Sequence, residues 1–437
     1  MSIEKINQAK AEIAATSAYK TITAFFDADS FCEIDAFAKS GEGFAEVVAG
    51  FGTVEGMPVY AFAQNSDICG GAMSKAQAAK LKKLYGLALK TGAPVVGFYD
   101  SVGGRLNQGT ELLAGCGDVL NAAASLSGVV PQISVVFGTC LGTNALNAAS
   151  ADIVIMSKDA QLSLSVTGKH SDAAYNAENG IASIVCDDAD KAIKAAKELI
   201  LYLPSNNLTM APQSFEEAPA EDGCGCVVSR TVDGNSIVKL FNDYGKEANV
   251  RFARLGGQVV GIVVTKGKEL GCKSANKVTK FVRFCDAFSL PVVTFVNCPG
   301  FESIKSATKA SAAYAEATTV KISVVTGKAI GSGYVALAGT GANADVVYAL
   351  PDAVISPVNV EAAAFIMAPE VMNVATDKQA EVAQKFADEN LSAYNAAQNG
   401  YVDGIVEEAQ LRQTLISALD MLSGKRVSTL SKKHSTI

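Results

Sequence analysis

Histidine is nearly missing from this chain: there are two, His170 and His434. Chemistry built on a Ser-His pair or a His-ligated metal therefore has little material to draw on. His434 lies in a polar C-terminal tail expected to be mobile. His170 lies in the polar loop TGKHSD and reads as a solvated loop residue before it reads as a catalyst. No apolar run is long enough to span a membrane, and no N-terminal secretion signal is read. A basic surplus is also lacking: 37 Lys+Arg stand against 44 Asp+Glu, a formal net charge of -7, which argues against a nucleic-acid surface. The 10 cysteines are scattered rather than spaced as a framework, so reduced thiols and a cytoplasmic location are expected. Cys224-Gly225-Cys226 is the one close pair, and it has neither a second pair nor a nearby histidine to complete a metal site.

Apolar content, by contrast, is ample. With 437 residues, 49% of them hydrophobic, the chain can bury substantial cores, and its length favours two or three domains. A duplication selects two. The stretch ISVVFGTCLGTNALNAASADIVIMSKDA, residues 133–160, returns as ISVVTGKAIGSGYVALAGTGANADVVYALPDA, residues 322–353. Ile133 and Ile322, Gly138 and Gly327, and Gly142 and Gly331 are each 189 apart; Asp152 and Asp345, and Asp159 and Asp352, are each 193 apart. Each copy reads as an apolar strand, a glycine turn, a small-residue helix and a second strand opened by Ala-Asp.

A helix that starts just after a strand and a glycine turn aims its free N–H groups at whatever lies above the turn. That makes an oxyanion or phosphate site, and glycine lets a ligand approach the main chain. Gly142-Thr143 and Ser332-Gly333 are the peptide pairs expected there. The alternative is that Gly and Ala only allow close helix–strand packing; two copies favour two facing sites of related chemistry.

Other elements repeat around this motif. FGTVEGMPVYAFAQN, with a Glu55-Gly56 turn, and FARLGGQVVGIVVTKG read as hairpins. Gly70-Gly71 precedes Ser74, whose spacing to Gln77 fits a capping box for a helix from Lys75 to about Thr91. Lys75, Lys80, Lys82 and Lys83 on that helix are either a solvated face or contacts for ligand phosphates. APVVGFYDSVGGRLNQGTE, with Gly103-Gly104-Arg105, has its partner in LPVVTFVNCPGFES. Arg105 either holds a phosphate or carboxylate or bonds loop carbonyls. Strands alternating with helices in this order imply parallel pairing, an α/β domain in each half, and sites at the C-terminal strand ends. The boundaries are read as a first domain over 1–205, a linker over 206–228 and a second domain over 229–437. Near the C-terminus two helices are expected around a Gly-Tyr-Val-Asp-Gly turn.

These residues carry a resemblance. The blocks FFDADSFCEID, VVAGFGTVEGMPVYAFAQN, LALKTGAPVVGFYDS, SGVVPQISVVFGTCLG, FVRFCDAFSLPVVTFVNCPGF, AEATTVKISVVTGKAIGSGY and NAAQNGYVDGIVE run along nearly the whole chain. It resembles the carboxyltransferase subunit of biotin-dependent acyl-CoA carboxylases and decarboxylases, the group that includes propionyl-CoA carboxylase β chains and methylmalonyl-CoA decarboxylase α chains.

The resemblance implies two tandem crotonase-like domains of the ClpP/crotonase superfold. It implies transfer of a carboxyl group between biotin and the α-carbon, or vinylogous carbon, of a short acyl-CoA through an enolate, with no side-chain base. By motif match, Gly142-Thr143 would serve the coenzyme A thioester and Ser332-Gly333 the biotin. Gly70, Gly71, Gly103, Gly104, Arg105, Gly300, Phe301, Gly331 and Tyr334 would surround the two ligands. Biotin would arrive on a biotin carboxyl carrier protein, alongside biotin carboxylase or membrane decarboxylase subunits, since neither a carrier-lysine motif nor an ATP loop is present. A homo-hexamer built as a trimer of dimers is implied.

Where the family commonly has Gly-Gly-Ala, this chain reads Gly142-Thr143-Asn144 and Gly331-Ser332-Gly333; the loop after Pro299-Gly300-Phe301 is shortened to ESIKSATKASAAY, and Ser356-Pro357-Val358 replaces a methionine-glycine turn. The apolar Val335 favours a propionyl- or methylmalonyl-type acyl group. Two rivals stand beside this reading: another crotonase-fold hydratase or hydrolase using Glu111 or Asp100 as its carboxylate, and a non-catalytic scaffold subunit.

Overall fold

Two hairpins start the two halves, and their turns show why. Val47–Val54 and Met57–Gln64 are joined by Glu55 and Gly56, with φ of 50° and 77°; Ala248–Leu255 and Gln258–Thr265 are joined by Gly256 and Gly257, with φ of 60° and 79°. Two consecutive positive-φ residues match the twist of an antiparallel pair. The computed structural model describes residues 3–41, 43–165, 167, 169–214, 218–219, 226–368, 373–427 and 436. It divides into two compact units, Met1–Pro212 and Gln213–Ile437. His434, Cys224 and Gly225 lie outside the described residues.

In the first unit Cys32–Glu33 pairs antiparallel with the first hairpin strand, the hairpin itself is antiparallel, and the strand pairings beyond it in that sheet are parallel. Met57–Gln64 lies beside Val95–Ser101, then Gln132–Leu141, Ile153–Ser157 and Ile184–Cys186, while Gln161–Ser163 joins the far end of Gln132–Leu141. The second unit repeats the order: Val238–Leu240 antiparallel to the hairpin, then Val292–Cys298, Lys321–Ile330, Val346–Ala349 and Gly404–Ile405 in parallel, with Val354–Ser356 at the far end of Lys321–Ile330. Each sheet has eight strands.

The Asp of each Ala-Asp pair sets the register. Asp152 donates its N–H to Gln132 O and accepts Gln132 N–H on its carboxylate at 2.9 Å; Asp345 does the same with Lys321, at 2.8 Å. The glycines at 138 and 327 lie in a bulge of their own strand, where a side chain of the neighbouring strand crosses. Pairing shifts between Tyr99 and Ser101, and identically between Val296 and Cys298: Asp100 alone stands opposite Phe137, Gly138 and Thr139, and Asn297 alone opposite Thr326, Gly327 and Lys328. Their side chains turn back over the next strand. Asp100 Oδ1 accepts Thr139 N–H at 3.1 Å, and Asn297 Oδ1 accepts Lys328 N–H at 3.1 Å. A Cβ on Gly138 would stand 2.1 Å from Asp100 Oδ1, and one on Gly327 2.6 Å from Asn297 Cγ.

Helix Lys75–Thr91 and helix Thr110–Ala124 cover the first sheet around a core that includes Phe62, Leu81, Leu84, Tyr99, Val119 and Val136. Ser74 caps the former by accepting Gln77 N–H; the Gln77 side chain donates to Glu46 O, so only half of the expected capping box forms. The second unit packs Ile262, Phe295, Ile322 and Val324 against Leu411 and Leu415 of helix Glu408–Leu422. Before it, the chain forms two helices rather than one, Thr376–Asn390 and Ala393–Gln398, because Ser392 accepts Asn395 N–H and starts a new one. Asn206 Nδ2 donates to Gly92 O and Asn207 N–H to Val129 O, so residues expected to begin the linker are fastened to the first unit. Among the described residues no helix is long and apolar enough to cross a membrane, and the described cysteines are free thiols.

Gly138→Ala would push the Asp100 carboxylate off Thr139 N–H and cost about 1–3 kcal/mol of stability. Gly86→Ala, on an open helix face with nothing within 4 Å of the new Cβ, would instead stabilise by about 0.5–1 kcal/mol. Urea denaturation of both variants measures the contrast.

Candidate active site

Each long parallel strand ends in a glycine with a left-handed backbone, and a short strand beside it fixes that glycine. Gly142, φ 67°, donates its N–H to Ser163 O at 3.0 Å, and Gly331, φ 50°, donates to Ser356 O at 2.8 Å. Helices Asn144–Ala149 and Ser332–Leu337 start at once, with no side-chain cap. The N–H groups left without a partner among the described residues are those of Thr143 and Asn144 in the first unit, and of Ser332, Gly333 and Tyr334 in the second, where Ser332-Gly333 is the pair matched by the repeat. The second pair coincides with the expected one. In the first unit the pair stands one residue further on, because the Gly142 N–H is committed to Ser163. The two pairs are then in register, each 189 apart.

The residue behind each pair differs. A Cβ on Gly333 would meet Cys298 O at 2.4 Å, so only glycine fits. At the matched position Asn144 is fully buried and donates through Nδ2 to Ser101 Oγ at 3.0 Å.

The other expected glycines hold the walls of the two turns. Gly70 and Gly71 have φ of 61° and 67°; Gly70 O accepts Val102 N–H, and a Cβ on Gly71 would lie 2.1 Å from Asp100 O. Gly103 O accepts Met73 N–H at 2.8 Å, and Gly300 O accepts Leu270 N–H at 3.0 Å, with Phe301 bridged to Leu270. A Cβ on Gly104 would strike Leu112. Ser101 Oγ and Cys298 Sγ each donate to the carbonyl two residues on, Gly103 O and Gly300 O. Arg105 is turned inward, with Nη1 donating to Glu46 Oε1 at 2.7 Å and to Ser40 Oγ at 2.8 Å; Glu46 is fully buried. A buried protein carboxylate thus takes the bidding of Arg105, and no ligand anion is needed to pair it.

The lysines of helix Lys75–Thr91 are also engaged within the unit. Lys75 pairs with Glu111, Lys82 with Asp118 and Lys83 with Asp35 at the surface. Lys80 is 3% exposed and pairs with Glu33 at 2.7 Å; burial pulls its pKa down, and Glu33 opposes that. It is neither solvated face nor phosphate contact. His170 is exposed and stacks on Tyr175 with ring centroids 4.6 Å apart. Of the two candidate carboxylates, Asp100 is spent on Thr139 N–H, and Glu111 is 61% exposed against Lys75.

A cavity of about 530 Å³ opens beside the second turn, lined by Gly331, Tyr334, Val335, Ser356, Asn395 and Tyr401 among others. Tyr334 donates its O–H to Tyr401 O at 2.6 Å, and burial holds its phenol above the usual value, with Asp403 and Tyr401 adding to the shift. The Tyr401, Asn390, Asn395 and Met367 contributions were not expected from the sequence. They reach the wall from three separate helices and a turn, and no local spacing links them to Gly331.

A family model described as the carboxyl transferase domain matches residues 15–437. The chain is 35% identical to the methylmalonyl-CoA decarboxylase subunit alpha of Veillonella parvula, over 96% of this chain and 92% of that one. It is 34% identical to the methylmalonyl-CoA carboxyltransferase 12S subunit of Propionibacterium freudenreichii subsp. shermanii, over 89% and 83%. A transcarboxylase 12S crystal structure, described as a hexamer assembly with hydrolysed methylmalonyl-coenzyme A bound, superposes with a TM-score of 0.92 at 30% identity, covering 99% of this chain and 98% of that one. The architecture is thus the tandem crotonase-like α/β fold, and the chain belongs to the carboxyl transferase domain family of enzymes.

Proposed function

We propose that this protein moves a carboxyl group between biotin and the α-carbon of a short acyl-CoA, with propionyl-CoA and methylmalonyl-CoA as the pair it serves. The observation that carries this is the matched pair of main-chain donor sites, Thr143-Asn144 and Ser332-Gly333, at the same position of the two repeats. A carboxyl transfer of this kind develops negative charge on two oxygens, one on each reactant, and two donor pairs answer that need. Neither pair requires a titrating side chain, which suits a chain with two histidines.

The Thr143 and Asn144 amides would hold the thioester oxygen as the enolate forms. The Ser332 and Gly333 amides would hold the ureido oxygen of biotin. The cavity beside Gly331 fits the bicyclic ring: it has the size of a small-molecule pocket, its walls include Val335, Ile355 and Leu391, and Asn390 and Asn395 supply amide groups. Biotin, when bound, supplies the transferable carboxyl group and a ureido nitrogen able to carry the α-proton. Both turns are preset by their Ser163 and Ser356 bonds, so the donors need no rearrangement as charge develops. Val335, 54% exposed, is an apolar lining residue of this cavity. Biotin would come on a carrier protein from a carboxylase, transcarboxylase or decarboxylase complex in the cytoplasm, and the hexamer assembly of the transcarboxylase 12S structure supports a hexameric form.

Purified protein with free biotin should convert methylmalonyl-CoA to propionyl-CoA, the carboxyl group passing to biotin and leaving as carbon dioxide, followed by mass as loss of the substrate's free carboxylate; malonyl-CoA and glutaconyl-CoA should react more slowly. Thioester loss without biotin would overturn the assignment in favour of a hydrolase. Gly333→Ala forces the second donor pair away from Cys298 O, and a misplacement near 1 Å should cost about a hundredfold in kcat, with a urea midpoint as the control for folding. Glu111→Gln should retain activity, whereas a hydratase that used this carboxylate would lose it.

A further inference from the structure

Helix Thr110–Ala124 turns Leu112, Gly115 and Cys116 to its neighbours, the i, i+3 and i+4 spacing of one helix face. Leu112 covers Gly104, where a Cβ would lie 2.4 Å from Leu112 Cδ2, and a Cβ on Gly115 would meet Ala78 Cβ of helix Lys75–Thr91 at 3.0 Å. The helix is thereby fixed against both a strand-end loop and a second helix. Cys116, 7% exposed on that face, sets its Sγ 3.2 Å from Thr143 Oγ1.

Thr143 is itself exposed, and its hydroxyl has no other partner among the described residues. Because threonine branches at Cβ, one χ1 angle places Oγ1 and Cγ2 together. Engaging the hydroxyl on a fixed sulfur therefore also decides where the methyl group stands. That methyl belongs to the residue whose amide is the first of the two free donors of its unit.

We propose that Cys116 is a positioning residue for the acyl-thioester side of the reaction: it holds Thr143 in one rotamer, and the methyl so placed sets which α-substituent is accepted over the Thr143-Asn144 amides. This rests on the carboxyl-transfer reading above. The thiol acts through Thr143. Its size matters as much as its hydrogen bond, since a larger residue would displace Thr143 and a smaller apolar one would release it.

The test is a double-mutant cycle on biotin-dependent decarboxylation of methylmalonyl-CoA and malonyl-CoA, with C116A, C116S, T143V and the C116A/T143V double variant. C116A should lower kcat/KM on the preferred thioester about 2- to 10-fold, the loss of one neutral hydrogen bond, and shift the ratio between the two thioesters. C116S, which keeps a donor and acceptor, should restore both. T143V keeps the branched shape without the anchor and should behave like C116A, and the double variant should be no worse than T143V. Additive losses, an unchanged substrate ratio in C116A, or no rescue by serine would each overturn the inference while leaving the carboxyl-transfer reading in place. Absence of biotin-dependent turnover in the unaltered protein would overturn both. T143V alters an exposed position, so it keeps the cycle readable if C116A folds poorly.

Discussion

A side chain crossing a glycine in the next strand is the constraint on which each unit depends. Asp100 over Gly138, and Asn297 over Gly327, replace a ladder bond at the point where the parallel pairing shifts by two residues. The slip lifts the strand end out of register, and the chain passes through Gly142 or Gly331 into its short helix. Were either glycine to carry a Cβ, the crossing side chain would have nowhere to lie. The aspartate that opens the following strand, Asp152 or Asp345, then fixes the other end of the motif by its reciprocal bonds. These two devices together explain why the repeat holds its spacing on both sides of an insertion of four residues.

The turn that results is held from outside itself. Ser163 and Ser356 each occupy the last position of a three-residue strand and take the N–H of the turn glycine. Neither donor pair is stabilised by a capping side chain, and both helices are a single turn and a half long. Polarity at these sites therefore comes from individual N–H groups more than from a long helix dipole. That is consistent with two sites whose flanking residues differ, Asn144 tied to Ser101 in one and bare Gly333 against Cys298 O in the other.

Local signals in the sequence carried the fold well. Hairpin turns, the helix from Lys75 to Thr91 and its Ser74 cap are decided within a few residues, and the duplicated strand–turn–helix motif is visible as a fixed offset. The site was legible only to the nearest residue or two. Commitment of the Gly142 N–H depends on where Gln161–Ser163 docks, some twenty residues on, and no residue type at 142 announces it. Arg105 was open between a ligand and the protein because its partner, Glu46, lies 59 residues earlier in the chain. Lys80 looked like its helical neighbours, yet it is buried because Glu33 and the Val47 carbonyl meet it there. The cavity walls are assembled from 331, 367, 390 and 401, a tertiary arrangement with no period to read.

Placing the donors in the main chain separates the chemistry from the side chains that surround it. Under the proposed carboxyl transfer, every residue but proline would bring the N–H that the donor sites need, so the exposed positions 143 and 332 would tolerate change, whereas Asn144, buried against Ser101, would not. An enzyme whose catalytic groups were histidine or a carboxylate would lose its chemistry at the first such substitution. On the proposed reading, drift at Thr143 or Ser332 would alter which substrate is preferred and leave the donor N–H in place.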